Sequence, residues 1–399
     1  MAERALSGLR VVESATMLAA PLCGMILADH GADVIKVELP GGGDPIRKWG
    51  YQKNGTGLAY KLFGRNKRSI SLDLRKPRGK EVFLKLIATA DVYIENFRPG
   101  TLEKWGLGGD VLRQAKPDLV IMRMSGFGQT GPKSPLPGFG TLAEAMSGFA
   151  YGNGWPDRPP TLPSFGLADS VAGVAAAFGI MAALRYRDRT GKGQDVDVAL
   201  YEPLLTVLGT LIVDYQQLGI VQQRTGNVVP LGAPRNAYQT SDHKWIALSC
   251  STQSTTIPLF NAIGQPQLIE DPRFRDNASR VQNVEELDAI IAGWMLAHTY
   301  DSAMDILQKG GVTAGPVNTA ADLFNDEHVR ARGSITKVND DDLGELWMQT
   351  PMPRLTESPG SIQFAGRNRP GADNAEIFAE LGYPKVIEEE PAVQEVGVW

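Results

Sequence analysis

The chain is poor in the residues that hold metals or form cross-links. Cys23 and Cys250 are the only cysteines in 399 residues, too few for a disulfide framework or a four-cysteine metal site. The four histidines, His30, His243, His298 and His328, include no pair spaced for a helix-borne zinc site, so no metal centre is expected. Long apolar runs are also missing. The longest uncharged one, residues 170–184, has 15 residues, short of the roughly 20 that span a bilayer. The N-terminal MAERALSGLR lacks the apolar core of a signal peptide. Positive charge is not in excess, because 45 acidic against 40 basic residues leave a net charge of -5. General nucleic-acid binding is therefore not expected. These absences point to a cytoplasmic globular protein without membrane or nucleic-acid partners.

Glycine and proline are plentiful, at 44 and 26 residues, and imply many tight turns in a folded chain. The length allows a large core and two to three domain equivalents. Residues 9–13, 33–38, 92–95 and 119–124 read as strands, and 69–74 and 195–199 alternate with period two. Helical patterns at 21–30 and 81–90 separate them, which indicates an α/β fold with a parallel sheet and right-handed crossovers. A turn-rich stretch, 132–163, surrounds one helical segment at 142–150 and suits the wall of a site. Residues 169–186 read as a nearly all-apolar core helix. Beyond about residue 220 a hairpin at 238–249 and helices at 255–264, 284–298 and 300–309 suggest a smaller mixed α/β domain. Strand-like pieces at 334–337 and 346–348 and a helix at 372–381 follow, then an acidic tail after residue 384.

Several segments bear on chemistry. Gly126, Gly128 and Gly131 formally match G-x-G-x-x-G, but Pro132 and Pro135 oppose the helix that a dinucleotide site needs there. No phosphate-binding G-x-x-x-x-G-K-[ST] loop exists, so energy for group transfer must come from the substrate. Residues 61–80 place eight cations against Asp73, a local balance of +7. They are either a solvated face or a seat for a polyanionic small molecule, and Arg98 after the 92–95 strand favours the second. Asp169 opens the apolar helix. It is either an N-cap or an ionised carboxylate nucleophile with small neighbours, Gly166 and Gly173.

Several stretches in order then resemble one family. They are Leu6-Ser-Gly-Leu-Arg-Val-Val-Glu, Gly31-Ala-Asp-Val-Ile-Lys-Val-Glu, Asn66-Lys-Arg-Ser-Ile-Ser-Leu-Asp-Leu, Asp91-Val-Tyr-Ile-Glu-Asn-Phe-Arg-Pro-Gly, Ala168-Asp-Ser-Val-Ala-Gly and Gly191-Lys-Gly-Gln-Asp-Val-Asp-Val. The chain resembles the class III CoA-transferases of the CaiB/BaiF type, which include formyl-CoA and carnitine CoA-transferases. The resemblance implies an interlocked homodimer. Each chain would have a large Rossmann-like parallel-sheet domain over residues 1–220, a small domain over 221–330, and a return to the large domain over 331–399. It also implies that Asp169 attacks an acyl-CoA thioester and carries CoA to a small carboxylic acid through anhydride and aspartyl-CoA intermediates. CoA is then a substrate, with no tightly bound cofactor.

By the same resemblance, Leu72, Asp73, Leu74 and Arg75 should flank the adenosine part. Asn96, Phe97 and Arg98 should follow the pantetheine arm, Lys104 should meet the phosphates, and Thr16 and Ala19 should supply backbone contacts. Phe139 and Gly140 should border the acyl site. Departures narrow the chemistry. A frequent family arginine is Leu39 here, leaving the phosphates to Arg75, Arg98 or Lys104. The four-glycine run of formyl-CoA transferases is GNVVPLGAP at 226–234, so oxalate is not the expected acceptor. Phe139 stands where related α-methylacyl-CoA racemases carry a proton-exchanging histidine, which argues against the isomerase alternative. A catalytically silent CoA-binding protein remains a further alternative. Arg235 is either a surface residue of the hairpin or a bidentate partner for the far carboxylate of a dicarboxylic acceptor.

Overall fold

The computed structural model describes residues 3–383, and the acidic stretch beyond residue 384 lies outside them. The fold is α/β, and the chain divides into two compact units. One runs to Phe149, resumes over Leu162–Val213 and again from Ala331; the other combines Ala150–Thr161 with Asp214–Arg330.

The first unit is built on a six-stranded sheet. Its strands are β1 (Arg10–Glu13), β2 (Asp33–Glu38), β3 (Lys67–Ser71), β4 (Val92–Glu95), β5 (Val120–Ser125) and β6 (Asp195–Ala199), in the order β3-β2-β1-β4-β5-β6. Every neighbouring pair is parallel, and Val11 lies opposite both Val34 and Val92. Successive side chains point to opposite faces, so each strand feeds two cores. Val11, Val34, Val92, Val120 and Met122 pack under helix α1 (Ala19–Asp29). Val12, Ile35, Tyr93 and Ile121 pack on the other side with Val82, Phe83 and Leu86 of α2 (Pro77–Ile87). The chain winds one way from β1 to β3 and the other way from β4 to β6. The loops leaving β1 and β4 therefore diverge and open a crevice at the carboxyl ends of the strands.

Two further helices frame that crevice. After β5, residues 126–139 carry no helix, so the G-x-G-x-x-G match leads into turns; α3 (Gly140–Met146) comes only afterwards. Helix α4 (Leu167–Thr190) has 24 residues and starts two positions before Asp169, with Gly166 as a cap that has no side chain. Asp169 thus sits in the first turn and is not the N-cap. By length and composition α4 could cross a bilayer, yet Ala168, Ala172, Ala176 and Ile180 belong to the core beside α1. Gly173 makes this crossing possible, because a side-chain carbon there would come within 2.6 Å of the Ala19 carbonyl oxygen. Its smallness serves helix packing and does not serve access to Asp169.

The cationic stretch 61–80 is largely neutralised by acids distant in sequence. Lys61 meets Asp340 and Asp342, Arg65 meets Asp29, Lys67 meets Glu13, and Arg68 meets Asp33, Glu376 and Glu380. Lys61, Arg65 and Lys67 are buried, so this part of the stretch is neither a solvated face nor an open anion seat.

In the second unit, β7 (Arg235–Gln239) and β8 (Trp245–Ser249) form the antiparallel hairpin, and β9 (Ala314–Pro316) adds to the β8 edge. Helices including Val284–Leu296 and Tyr300–Lys309 cover one face with Phe260, Leu287, Ile291 and Leu307. In the first unit, β10 (Ile335–Asp340) pairs antiparallel with β11 (Gly344–Gln349).

Candidate active site

The two loops at the strand-order reversal are clamped to each other. Asn96 accepts the Thr16 N–H at 2.9 Å and donates to the Thr16 carbonyl at 2.8 Å. Met17 lies in the left-handed region at φ 67° and gives its N–H to Asp44 Oδ1 at 3.1 Å. Beneath this loop Lys36 Nζ reaches Glu13 Oε1 and Asp44 Oδ2, both at 2.9 Å, and the Ala15 carbonyl at 2.7 Å. Lys67 closes the cluster on Glu13 Oε2 at 2.7 Å. These side chains are almost fully buried, so their pairing is obligatory and fixes where the β1 loop runs. The β4 loop has its own anchor. Glu95 accepts the Phe97 N–H at 2.7 Å and Arg123 Nε at 2.9 Å; burial pushes its carboxyl up to about 7 although Arg123 pulls the other way.

The crevice between these loops is a cavity lined by Thr16, Ala19, Asn96, Phe97 and Arg98, by Ser125 and Gly126 at the end of β5, by Leu136, Gly138 and Phe139, and by Asp169. A second recess shares Thr16 and Phe97 with it and is lined by Leu72, Asp73, Leu74 and Arg75, with Leu39, Gly43 and Trp105. Most residues picked from the sequence are thus gathered around two hollows that share Thr16 and Phe97. Arg75 grips Asp73 with both forks, at 2.8 and 2.9 Å, and against the pull of burial this holds Asp73 below the usual carboxylate range. Arg98 and Lys104 are exposed and make no ion pair among the described residues. Lys104 ends a short helix after Gly100 and lies in neither lining. Arg235 belongs to the second unit, where it lines a shallow groove on β7 and donates to the Asn227 carbonyl at 2.7 Å.

Asp169 is half-buried, and its carboxylate has no hydrogen-bond partner among the described residues. Two glycines flank it. A side-chain carbon at Gly166 would lie 2.9 Å from Oδ2, and one at Gly140 would collide with the same oxygen. Burial first, and then the neighbouring Glu144 carboxylate, push Asp169 from 3.8 up to about 6. The helix N-terminus favours the anion but is outweighed. At neutral pH the group is still mainly ionised, and it is more basic and less solvated than an ordinary aspartate. That is the state wanted of an oxygen nucleophile toward an activated acyl group. Glu144, Glu95 and the Glu13–Lys36–Asp44 cluster were not legible as site residues, because nothing local marks them; only the packing brings them here. Cys23 is buried, and burial pushes its thiol well above the usual range, so it is no competing nucleophile.

Comparison with known proteins identifies the family. Residues 6–374 match the profile of CoA-transferase family III. The chain is 44% identical over 379 residues to the succinyl-CoA–D-citramalate CoA-transferase of Chloroflexus aurantiacus, covering 95% of this chain and 94% of that protein. It is 40% identical over 380 residues to the succinyl-CoA–L-malate CoA-transferase beta subunit of the same organism, with 94% of each covered. A CaiB/BaiF family protein from Brucella suis superposes with a TM-score of 0.84 at 35% identity, over 95% of this chain and all of that one.

Proposed function

The chain belongs to CoA-transferase family III and is a CoA-transferase, and on that premise we propose that it moves CoA from succinyl-CoA to a dicarboxylic acid through Asp169. The names of the relatives supply the donor and the acceptor class. The observation that carries the residue assignment is the basic carboxylate of Asp169, without a hydrogen-bond partner among the described residues, in a cavity at the strand-order reversal.

The steps balance without ATP. An Asp169 oxygen attacks the thioester carbonyl carbon, the C–S bond breaks, and CoA leaves as thiolate with the negative charge. The thiolate attacks the Asp169 carbonyl of the mixed anhydride, releasing the donor carboxylate and leaving aspartyl-CoA thioester. The acceptor carboxylate attacks that thioester and expels CoA thiolate, which then takes the acceptor acyl group and frees Asp169. Thioester and anhydride are close in reactivity, so the protein's work is to orient the groups and exclude water. Leu136, Pro137, Gly138 and Phe139 wall the cavity for this purpose. Asn96 and the Thr16 loop border the arm of CoA, Leu72 to Arg75 border its adenosine end, and Arg98 and Lys104 supply charge for its phosphates.

Isomerisation has no support in the cavity, whose ionisable lining side chains among the described residues are Asp169 and Arg98, with no opposed acid–base pair. Arg235 is the candidate for the far carboxylate of the acceptor. Arg235→Leu should raise KM for a dicarboxylate about tenfold and leave a monocarboxylate unaffected; an equal KM for both acids would remove the residue from that role. A homodimer is supported by the exposed apolar stripe Val174, Phe178 and Met181 along α4. The test of function is direct. Purified protein, succinyl-CoA and a panel of citramalate, malate, glutarate and acetate should yield new CoA thioesters of the dicarboxylates without nucleotide; transfer to acetate alone, or none, would contradict the reading.

A further inference from the structure

Glu144 is 2% exposed, an unusual place for a glutamate. Its carboxylate accepts the Ala168 N–H at 3.2 Å, an amide in the first turn of α4. The cap residue of that helix, Gly166, has no side chain, so Glu144 supplies a capping acceptor from another helix. Gly140 lies one turn earlier on α3, and a side-chain carbon there would run into the Asp169 carboxylate. Helix α3 therefore faces the start of α4 with Gly140 against Asp169 and Glu144 against the amide before it.

We propose that Glu144 is a positioning residue that drives Asp169 toward its acylated forms. The proposal rests on the reading of Asp169 as the nucleophile. By holding the Ala168 N–H, Glu144 fixes the first turn of α4, which carries Asp169. Its charge acts on Asp169 directly. Two neighbouring carboxylates in partly desolvated surroundings repel each other. When Asp169 attacks the thioester carbon, the C–S bond breaks and the electron pair leaves on the CoA sulfur, so Asp169 becomes a neutral acyl group. It stays neutral through the anhydride and the thioester. The repulsion from Glu144 is thus present in the resting enzyme and absent from the loaded one, which favours loading. The elevation of Asp169, caused first by burial and then by Glu144, agrees with this placement. The other ionisable side chain in the cavity lining, Arg98, comes from the β4 loop; the β1 loop and the start of α1 contribute none to that lining.

Glu144→Gln keeps an oxygen for the Ala168 amide and removes the charge; Glu144→Ala removes both. The experiment follows covalent loading in a single turnover with succinyl-CoA across pH 4.5–8, with hydroxylamine trapping and mass spectrometry of the Asp169 peptide. With Gln, the acid limb should move down by about half a pH unit or more, and the loaded fraction at a fixed succinyl-CoA to succinate ratio should fall about threefold. Ala should show the same shift together with a lower melting temperature. A Gln variant with the wild-type acid limb and loading overturns the proposal and leaves the nucleophile assignment standing. Turnover by the wild type with no adduct on Asp169 overturns both.

Discussion

Replacing Asp169 with asparagine should make the protein more stable as it destroys the activity. The carboxyl is raised from 3.8 to about 6, so the folded state binds its proton more readily than the unfolded chain does. The ionised form therefore costs stability, fully above about pH 6, and the cost disappears below the unfolded value. A shift of roughly two units corresponds to about 3 kcal/mol, and partial solvent exposure of the group reduces this to about 1–2 kcal/mol. Asparagine keeps the shape without the charge. The expected result is a melting temperature roughly 2–4 °C above wild type at pH 7.5, with the gain shrinking to nothing near pH 4. Differential scanning fluorimetry across that range would show it. A variant that is less stable at pH 7.5, or whose gain does not change with pH, would refute the picture of a carboxylate held at a cost for function.

Other substitutions separate the parts of the site. Gly140→Ala places a carbon against the Asp169 carboxylate and should lower kcat on the order of 100-fold with the fold intact by circular dichroism. Arg98→Ala and Lys104→Ala should each raise KM for acyl-CoA about tenfold, an effect that shrinks with added salt, whereas Arg75→Ala should act less because Asp73 already holds that guanidinium. Lys36→Met leaves Glu13 without one of its two lysines and frees Asp44, and should cost about 3–5 kcal/mol, read as a lower melting temperature and poor soluble yield.

Much of the sheet was legible because buried parallel strands carry their own signature. Residues 33–38, 92–95 and 195–199 form strands over those same positions, and the others shift by one to three residues. Helix ends were less legible for a physical reason. The start of α4 is capped by Glu144, 24 residues away in sequence, so no local capping signal marks Leu167. The cationic stretch 61–80 misled in the same way, since the acids that neutralise Arg68 lie as far as 312 residues along the chain. Its charge is a local property and its pairing a tertiary one. Asp169 stood out through its resemblance to a known motif, while local chemistry alone left it as a cap. The raised proton affinity, which in the proposed role suits it for attack, comes from burial and from Glu144, neither of which a linear pattern displays. Phe97, Asn96 and the Thr16 loop were placed by the same resemblance, and the buried Lys36 cluster that holds the loop was not.

The central claim is that CoA passes through a covalent bond to Asp169. Incubation with succinyl-CoA in the absence of acceptor, quenching with hydroxylamine, and mass spectrometry of the digested chain test it in one measurement. A hydroxamate on the peptide containing Asp169, absent from the Asp169→Asn protein, is the expected result. Unmodified Asp169 in a protein that still transfers CoA, or a hydroxamate on another carboxylate, would contradict it.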